Sequence, residues 1–328
     1  MRTIAALTLA ALLLLGPAAA PALDLQGHRG ARGLAPENTL AGFARAMAIG
    51  VTTLETDIAI SADGVPVISH DPALNPDLTR GPDGRFLEAR GPLIHQTRFD
   101  ELRRYDVGRL KPGSRYAAQF PDQQPVDGER IPALAELFAL VRQSGNAALR
   151  LSLETKLSPL APADTAAPEP FARALIAAVR QAGLAARTTI QSFDWRTLKL
   201  VQREAPEIAT ACLTAQQRWL DNVGAAGDAP SPWTAGLKFS DHGSVPRLVK
   251  AAGCPIWSAH HADLDAAQVR EARALGLQVL AWTVNDPAQI EKVLDLGVDG
   301  IISDRPDRVR EAMQRRGLAL PRPTPVLR

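Results

Sequence analysis

From residue 187 onward, short apolar runs alternate with longer stretches whose apolar residues recur at helical spacing. The runs 187–191, 208–213, 237–240, 255–259, 277–284 and 298–303 read as strands, and 195–204, 245–252, 266–275, 287–296 and 307–315 as helices. Gly276 and Gly297 stand where two of these helices should stop, and Asp265 and Asp286 where two should start. The first half follows the same scheme. Strands are expected at 25–29, 53–60 and 148–156, and helices at 40–49, 134–142 and 171–181, the first and last closed by Gly50 and Gly183. Strand–helix alternation of this kind implies a parallel sheet, and about eight strands suit a closed (β/α)8 TIM barrel. An open doubly wound sheet is the alternative, weakened because no Gly-x-Gly-x-x-Gly turn follows the first strand.

Two stretches break the rhythm. Residues 72–130 are rich in Pro, Gly, Asp and Arg and only weakly periodic. An irregular insertion directly after His70, at a strand end, is expected to be a cap or substrate-selecting segment (71–130); a loosely ordered decoration is the plainer reading. Residues 158–170, a Pro/Ala-rich loop, carry no assigned chemistry. The proline-rich tail, 318–328, is expected to be flexible. The barrel itself is expected over 23–317.

The N-terminal 22 residues form a class apart. Arg2, the apolar run 4–15, the break at Gly16-Pro17 and the small residues Ala20-Pro21-Ala22 make a secretory signal peptide. A membrane anchor is the alternative, but the run is shorter than the ~20 residues a span needs. The chain is therefore expected to be exported, in the periplasm, without stable membrane insertion. Elsewhere 46% hydrophobic and 22% charged residues describe an ordinary globular protein, and a formal net charge of +2 argues against a nucleic-acid partner. Export permits a disulfide between Cys212 and Cys254, and two buried thiols fit the sequence equally well.

The chemistry concentrates between residues 27 and 71. Glu55 and Asp57 lie two apart on an expected strand, so both side chains share a face. On a barrel that face is the interior, where two carboxylates need a cation between them; on an edge strand they would be surface acids. Oxygen ligands suit one divalent ion, Ca²⁺ or Mg²⁺. A turn at 62–65 brings the chain back, and pairing residue 62 with 65 would set His70 opposite Asp57. Glu154 and Lys156, again two apart on an apolar strand, offer a third carboxylate and a cation. His28 precedes Arg29, Gly30 and Gly33. The glycines allow close backbone approach to a ligand, and the guanidinium suits phosphate oxygens. Two histidines flanking a phosphate could serve as base and acid. His95, His242, His260 and His261 lack such context and read as surface or packing residues.

Taken in order, His28-Arg29-Gly30, Pro36-Glu37-Asn38-Thr39, Glu55-x-Asp57, Asp63-Gly64 and His70-Asp71 resemble the glycerophosphodiester phosphodiesterase family. So do Glu154-x-Lys156, Gln191-Ser192-Phe193, Ala281-Trp282-Thr283-Val284-Asn285 and the run 299–306. The resemblance spans about residues 25–312. It implies a barrel of the phosphatidylinositol-phospholipase-C-like superfamily and a divalent metal on Glu55, Asp57 and Glu154. His28 and His70 match its general acid/base pair. Arg29 and Lys156 match phosphate contacts, and Trp282 an aromatic lining the glycerol pocket. Glu37 and Asn38 match supporting positions expected to orient the His28 loop. The implied reaction is hydrolysis of a small-molecule glycerophosphodiester to glycerol 3-phosphate and an alcohol. Two alternatives are a phospholipase-type enzyme on intact lipids, which the polar insertion disfavours, and a non-catalytic periplasmic phosphoester-binding protein. Head-group preference and oligomeric state are left open.

Overall fold

The structure, a computed structural model, describes residues 22–326 except residue 228. The signal-peptide expectation thus lies almost wholly outside the described residues. Eight strands form the barrel: β1 (Asp24–Gly27), β2 (Thr53–Ile60), β3 (Arg150–Thr155), β4 (Thr188–Ser192), β5 (Ala209–Thr214), β6 (Ile256–His260), β7 (Gln278–Trp282) and β8 (Gly300–Ser303). Each runs parallel to the next, and β8 pairs with β1 to close the ring. The chain is a (β/α)8 TIM barrel, as the alternation predicts.

One helix follows each strand: α1 (Leu40–Ile49), α2 (Leu134–Gln143), α3 (Pro168–Gln181), α4 (Trp195–Glu204), α5 (Val245–Ala251), α6 (Ala266–Ala274), α7 (Pro287–Leu296) and α8 (Pro306–Arg315). The punctuation residues act as expected. Asp265 and Asp286 cap α6 and α7 by accepting backbone N–H groups, and Gly50 and Gly297 end α1 and α7 in the left-handed region. Helix α3 starts three residues earlier than the pattern suggests. Pro168 and Pro170 read as loop but sit in a first turn, where a missing N–H costs nothing. The core is the layer between strands and helices, filled by side chains such as Phe43, Met47, Phe171, Trp195 and Trp257. Cys212 on β5 is bonded to Cys254 just ahead of β6, which settles the choice between thiols and a disulfide.

Three expectations change. No strand forms at 237–240; a short 3-10 turn (Phe239–Asp241) stands there. Instead, a small hairpin, Gln216–Gln217 with Leu220–Asp221, follows β5 and carries Trp219 at its tip. The tail is anchored through residue 326: Thr324 N donates to Met47 O (2.8 Å), Arg310 donates to Pro321 O (2.6 Å), and Val326 packs on the core. The return strand after β2, Pro66–Ile68, pairs Ile58 with Ile68, so Asp57 lies opposite Ser69 rather than His70. The cause is a three-residue loop. Ser61 N bonds Val65 O, and Gly64 takes a positive φ of 80°, which shifts the register by one.

The insertion after His70 is folded. It has its own small core, in which Leu74, Ile94, Leu102 and Ile131 pack on Ala59 and Val67. Short helices at Phe99–Leu102 and Arg115–Gln119 complete it.

Candidate active site

The sequence-predicted residues converge at the C-terminal ends of the strands, the face on which (β/α)8 barrels assemble their sites. Strand β2 turns Glu55 and Asp57 into the barrel, and parallel register sets Asp57 beside Glu154 and Glu154 beside Gln191. Glu55, Asp57 and Glu154 are buried, with one carboxylate oxygen of each lying within 4.8 Å of the others.

Hydrogen bonds fix each acid. Glu55 accepts from Arg29 N and from Gln191 Nε2, both at 2.9 Å. Asn38 donates to Asp57 Oδ2 (3.0 Å) and itself accepts from Thr56. Lys156 Nζ lies 2.8 Å from Glu154 Oε1 and 3.8 Å from Asp57 Oδ1. Arg29 donates to Glu37 Oε1 (2.8 Å), and its Nε sits 3.2 Å from Asp57 Oδ2, an ion pair without a well-aimed hydrogen bond. Glu37 and Asn38 therefore hold the His28 loop at Arg29, whose backbone O accepts from Asn38 N (3.0 Å), and Asn38 also holds Asp57. Both Arg29 and Asn38 have positive φ (52° and 55°), an uncommon conformation for side-chain-bearing residues and one concentrated at functional sites.

His28 is held from across the closed barrel. Its Nδ1 lies 2.5 Å from Asp304 Oδ1, leaving Nε2 on the side of Glu55 (3.9 Å). Arg32 and Asn285 donate to the same Asp304 carboxylate. His70 has a matching arrangement: Nδ1 meets Asp71 Oδ1 at 2.8 Å, and Asn75 donates to Asp71. Each imidazole thus has one nitrogen tied to a carboxylate, which fixes ring orientation and tautomer and leaves Nε2 for chemistry.

The chain's own packing requires both glycines. A Cβ on Gly30 (φ 87°) would strike the Gly42 carbonyl carbon at 2.6 Å, so this turn packs against the start of α1. A Cβ on Gly33 would meet Asp304 O at 2.8 Å.

The electrostatics ask for a cation. Burial, then the charges of Asp57 and Glu154, push Glu55 well above the usual carboxylate range. Burial raises Glu154 to about 7, even against Lys156. Asp57 goes the other way: burial opposes ionisation, but Arg29, His70 and Lys156 hold it below the usual range. Its Oδ1 is buried and has no hydrogen-bond partner among the described residues. Such an orphaned carboxylate oxygen, with two more acids beside it, fits a hard divalent ion. Burial lowers both histidines, His70 to about 4 with help from Arg29 and Lys156, while Asp304 is held ionised by His28 and Arg32 against its own burial.

His28, Arg29, Glu55, His70, Glu154 and Lys156 line a cavity of about 430 Å³, while Asp57 and Asp304 do not. The insertion reaches it only through Asp71 and Pro72, at its very start. Further wall comes from Leu157 and from Ser158, Ala161, Asp164 and Thr165 of the 158–170 loop, assigned no chemistry from sequence, and from Phe193, Leu213, Trp219, Trp233 and the predicted Trp282. Substrate selection by the insertion is thus not what the cavity walls reflect.

The model of the glycerophosphoryl diester phosphodiesterase family matches residues 28–308. The chain belongs to this family. A glycerophosphodiester phosphodiesterase from Caldanaerobacter subterraneus subsp. tengcongensis is 26% identical over 298 residues, covering 88% of this chain and 97% of the relative. A solved structure from Silicibacter pomeroyi DSS-3 with the same family designation is 36% identical, with a TM-score of 0.80, over 91% of this chain and 95% of that one. A phosphodiesterase from Oleispira antarctica, solved in complex with the product sn-glycerol-3-phosphate, is 27% identical with a TM-score of 0.63, over 88% and 96%.

Several participants in this family member's site carry no role in the sequence reading. Asp304, Gln191 and Asp71 sit inside the quoted motifs, so only their function was hidden. Arg32 follows Arg29 by three residues and backs Asp304. Tyr116, deep in the insertion, donates to Glu37 and accepts from Arg32 NH1 (3.1 Å), and no local pattern announces it.

Proposed function

We propose that this chain is an exported, metal-dependent glycerophosphodiester phosphodiesterase that releases glycerol 3-phosphate and an alcohol. The observation that carries the reading is the pair of carboxylate-backed imidazoles, His28–Asp304 and His70–Asp71, on the cavity that also holds the acid cluster. Family membership and the product bound to the Oleispira antarctica relative support the substrate class.

Glu55, Asp57 and Glu154 would hold one Ca²⁺ or Mg²⁺. That ion would supply positive charge against the phosphate oxygens. Arg29 and Lys156 add charge and donors for the same oxygens. One imidazole Nε2 takes the proton of the attacking oxygen as its bond to phosphorus forms. The other gives a proton to the alkoxide as the opposite P–O bond breaks. Asp304 and Asp71 keep the rings oriented and stabilise whichever is imidazolium. The attacker is water or the substrate's own glycerol hydroxyl, the second route passing through a cyclic phosphate. Trp282, fixed by its Nε1 bond to Ser258 O (3.0 Å), offers a flat apolar surface to the glycerol carbons. Export is supported by the leader-like run at 4–15 and by the disulfide, which suits an oxidising compartment.

The test is incubation of the purified protein with glycerophosphocholine and added Ca²⁺ or Mg²⁺, with and without a chelator. Chelator-sensitive release of glycerol 3-phosphate is expected. Binding of the diester without turnover would make the chain a phosphoester-binding protein instead.

A further inference from the structure

The inside of the barrel is built differently from the core outside it. Leu25, Leu151, Leu153, Ile190, Trp257 and Ala259 belong to the layer between strands and helices. Alternation along each strand therefore turns Gln26, Ser152, Gln191 and Ser258 into the barrel. The parallel register sorts the inward positions into tiers. Gln26, Ser152, Ala211 and Leu280, from β1, β3, β5 and β7, make one tier. Glu55, Gln191, Ser258 and Ile302, from the even-numbered strands, make the next tier toward the C-terminal ends. All eight are buried. Barrels of this kind fill such tiers mainly with bulky branched side chains. Here three of the eight are Ala or Ser, which leaves room between the strands.

Four polar atoms of these two tiers have no hydrogen-bond partner among the described residues: Gln26 Oε1, Gln191 Oε1, Ser152 Oγ and Ser258 Oγ. Turning the amides over does not relieve them. Gln26 Nε2 donates to Asp24 Oδ2 and Gln191 Nε2 to Glu55 Oε1, both at 2.9 Å. Carboxylates thus hold both amide nitrogens and leave both oxygens as the unpaired ends. Asp24 is itself fixed by Thr53 Oγ1 (2.7 Å) and Arg150 (2.9 Å). An unpaired buried acceptor is destabilising, and native interiors supply a partner from protein or from ordered water. The partner needed here must donate to two amide oxygens and can accept from two hydroxyls. Water does both. A cation would also suit the oxygens. It would lie close beneath the ion that Glu55, Asp57 and Glu154 are read to hold, and the two would repel.

We propose that ordered water fills the barrel interior among these four atoms and positions the metal site from below. Water donating to Gln191 Oε1 keeps that amide turned so that its Nε2 donates to Glu55. Ser152, which the register sets beside Glu55, and Ser258 hold the water in place. Both serines are positioning residues, since neither lines the cavity. The water site rests on the barrel alone; its effect on the ion rests on the metal reading above.

The first test is a high-resolution crystal structure of the purified protein. Water density is expected within hydrogen-bond distance of Gln191 Oε1 and of at least one serine Oγ. The second is Ser152→Ala and Ser258→Ala, singly and together. If water is bonded there, each loss of a hydroxyl lowers the folding equilibrium constant roughly fivefold in denaturant titration. If the interior is dry, removing an unpaired hydroxyl leaves stability unchanged or raises it. Calorimetric titration of Ca²⁺ or Mg²⁺ into the folded double variant supplies a readout that packing alone would not move. Ion affinity should fall roughly fivefold, less than the loss typical of a group bonded directly to a metal ligand. A dry interior in the density, or alanine variants as stable as wild type, overturns the proposal. Density that follows added Na⁺ or K⁺, with contacts shorter than hydrogen bonds, overturns it in favour of a cation. Unchanged ion affinity in the double variant overturns the positioning role. If wild type binds no divalent ion, the metal reading fails, and the density and the sign of the stability change still decide the water site.

Discussion

Two regions depart from the barrel on its C-terminal side, and they treat the site in opposite ways. The long insertion after His70 grips the candidate site from behind. Its Tyr116 bridges Glu37, which holds Arg29, and Arg32, which holds Asp304. Phe120 lies under the Arg32 guanidinium at 4.6 Å, Gln123 donates to Arg32 O (2.7 Å), and Asp122 pairs with Arg305. Among the described residues, 157–165 after β3 and the loop after β5 make no such bonds to the acid cluster or to His28 and His70; they supply side chains to the cavity itself. The size and polarity of an insertion therefore do not say which side of a site it serves. Its hydrogen-bond partners do. Variants in the insertion should act on turnover, and variants in the two loops on substrate affinity.

The largest expected effect tests the scaffold of the second region. The Cys212–Cys254 bond closes a 42-residue separation that contains the Trp219 hairpin, and a loop of that size is worth about 4 kcal/mol in the chain-entropy account. Cys212→Ala with Cys254→Ala should lower unfolding free energy by up to that amount in denaturant titration. Hydrogen exchange should rise around 209–233 and not in 72–130; a rise confined to the insertion would break the division.

Next is Asp304→Asn, which keeps the shape at His28 but removes the charge. Turnover should fall roughly 10–100-fold with KM little changed. A change in KM alone would show that Asp304 positions substrate instead.

The acid cluster, common ground for both regions, should respond to pH. The pKa of Glu154 is raised to about 7 in the absence of an ion, so below that value it carries a proton that a cation must displace. Ion affinity should therefore rise with pH, about tenfold from pH 6 to 8, measured by calorimetry. A flat profile would remove Glu154 from the ligand set.

The smallest effect sharpens the comparison most. Tyr116→Phe deletes one hydroxyl and leaves the ring tilted against Phe120, 5.3 Å away. Loss of the hydroxyl's two hydrogen bonds, to Glu37 and from Arg32, predicts a roughly fivefold drop in kcat with KM for glycerophosphocholine unchanged. A KM effect without a kcat effect would put the insertion on the substrate side after all.

What could be read from sequence follows the same physics. The barrel was visible because helices with capped ends alternate with apolar runs, a local pattern. Glu55, Asp57, Glu154 and Lys156 were visible because spacing by two places them on one face of a strand. The Asp304–His28 contact joins residues 276 apart and exists only once the barrel closes, so no window of sequence contains it. The hairpin register depended on whether a loop had two residues or three, and the left-handed Gly64 decided it. Tyr116 and Trp219 lie in irregular segments, where no period indicates which way a side chain faces.

The central claim is that two carboxylate-backed histidines do the proton transfers while three acids hold the ion. It is tested most directly by titrating Ca²⁺ and Mg²⁺ calorimetrically into wild type, His28→Ala and His70→Ala, and measuring glycerophosphocholine turnover in each. One ion per chain should bind all three proteins with similar affinity, while turnover falls by roughly 10²–10⁴ in both variants. Near-normal turnover in either variant, or loss of the ion along with a histidine, would contradict it.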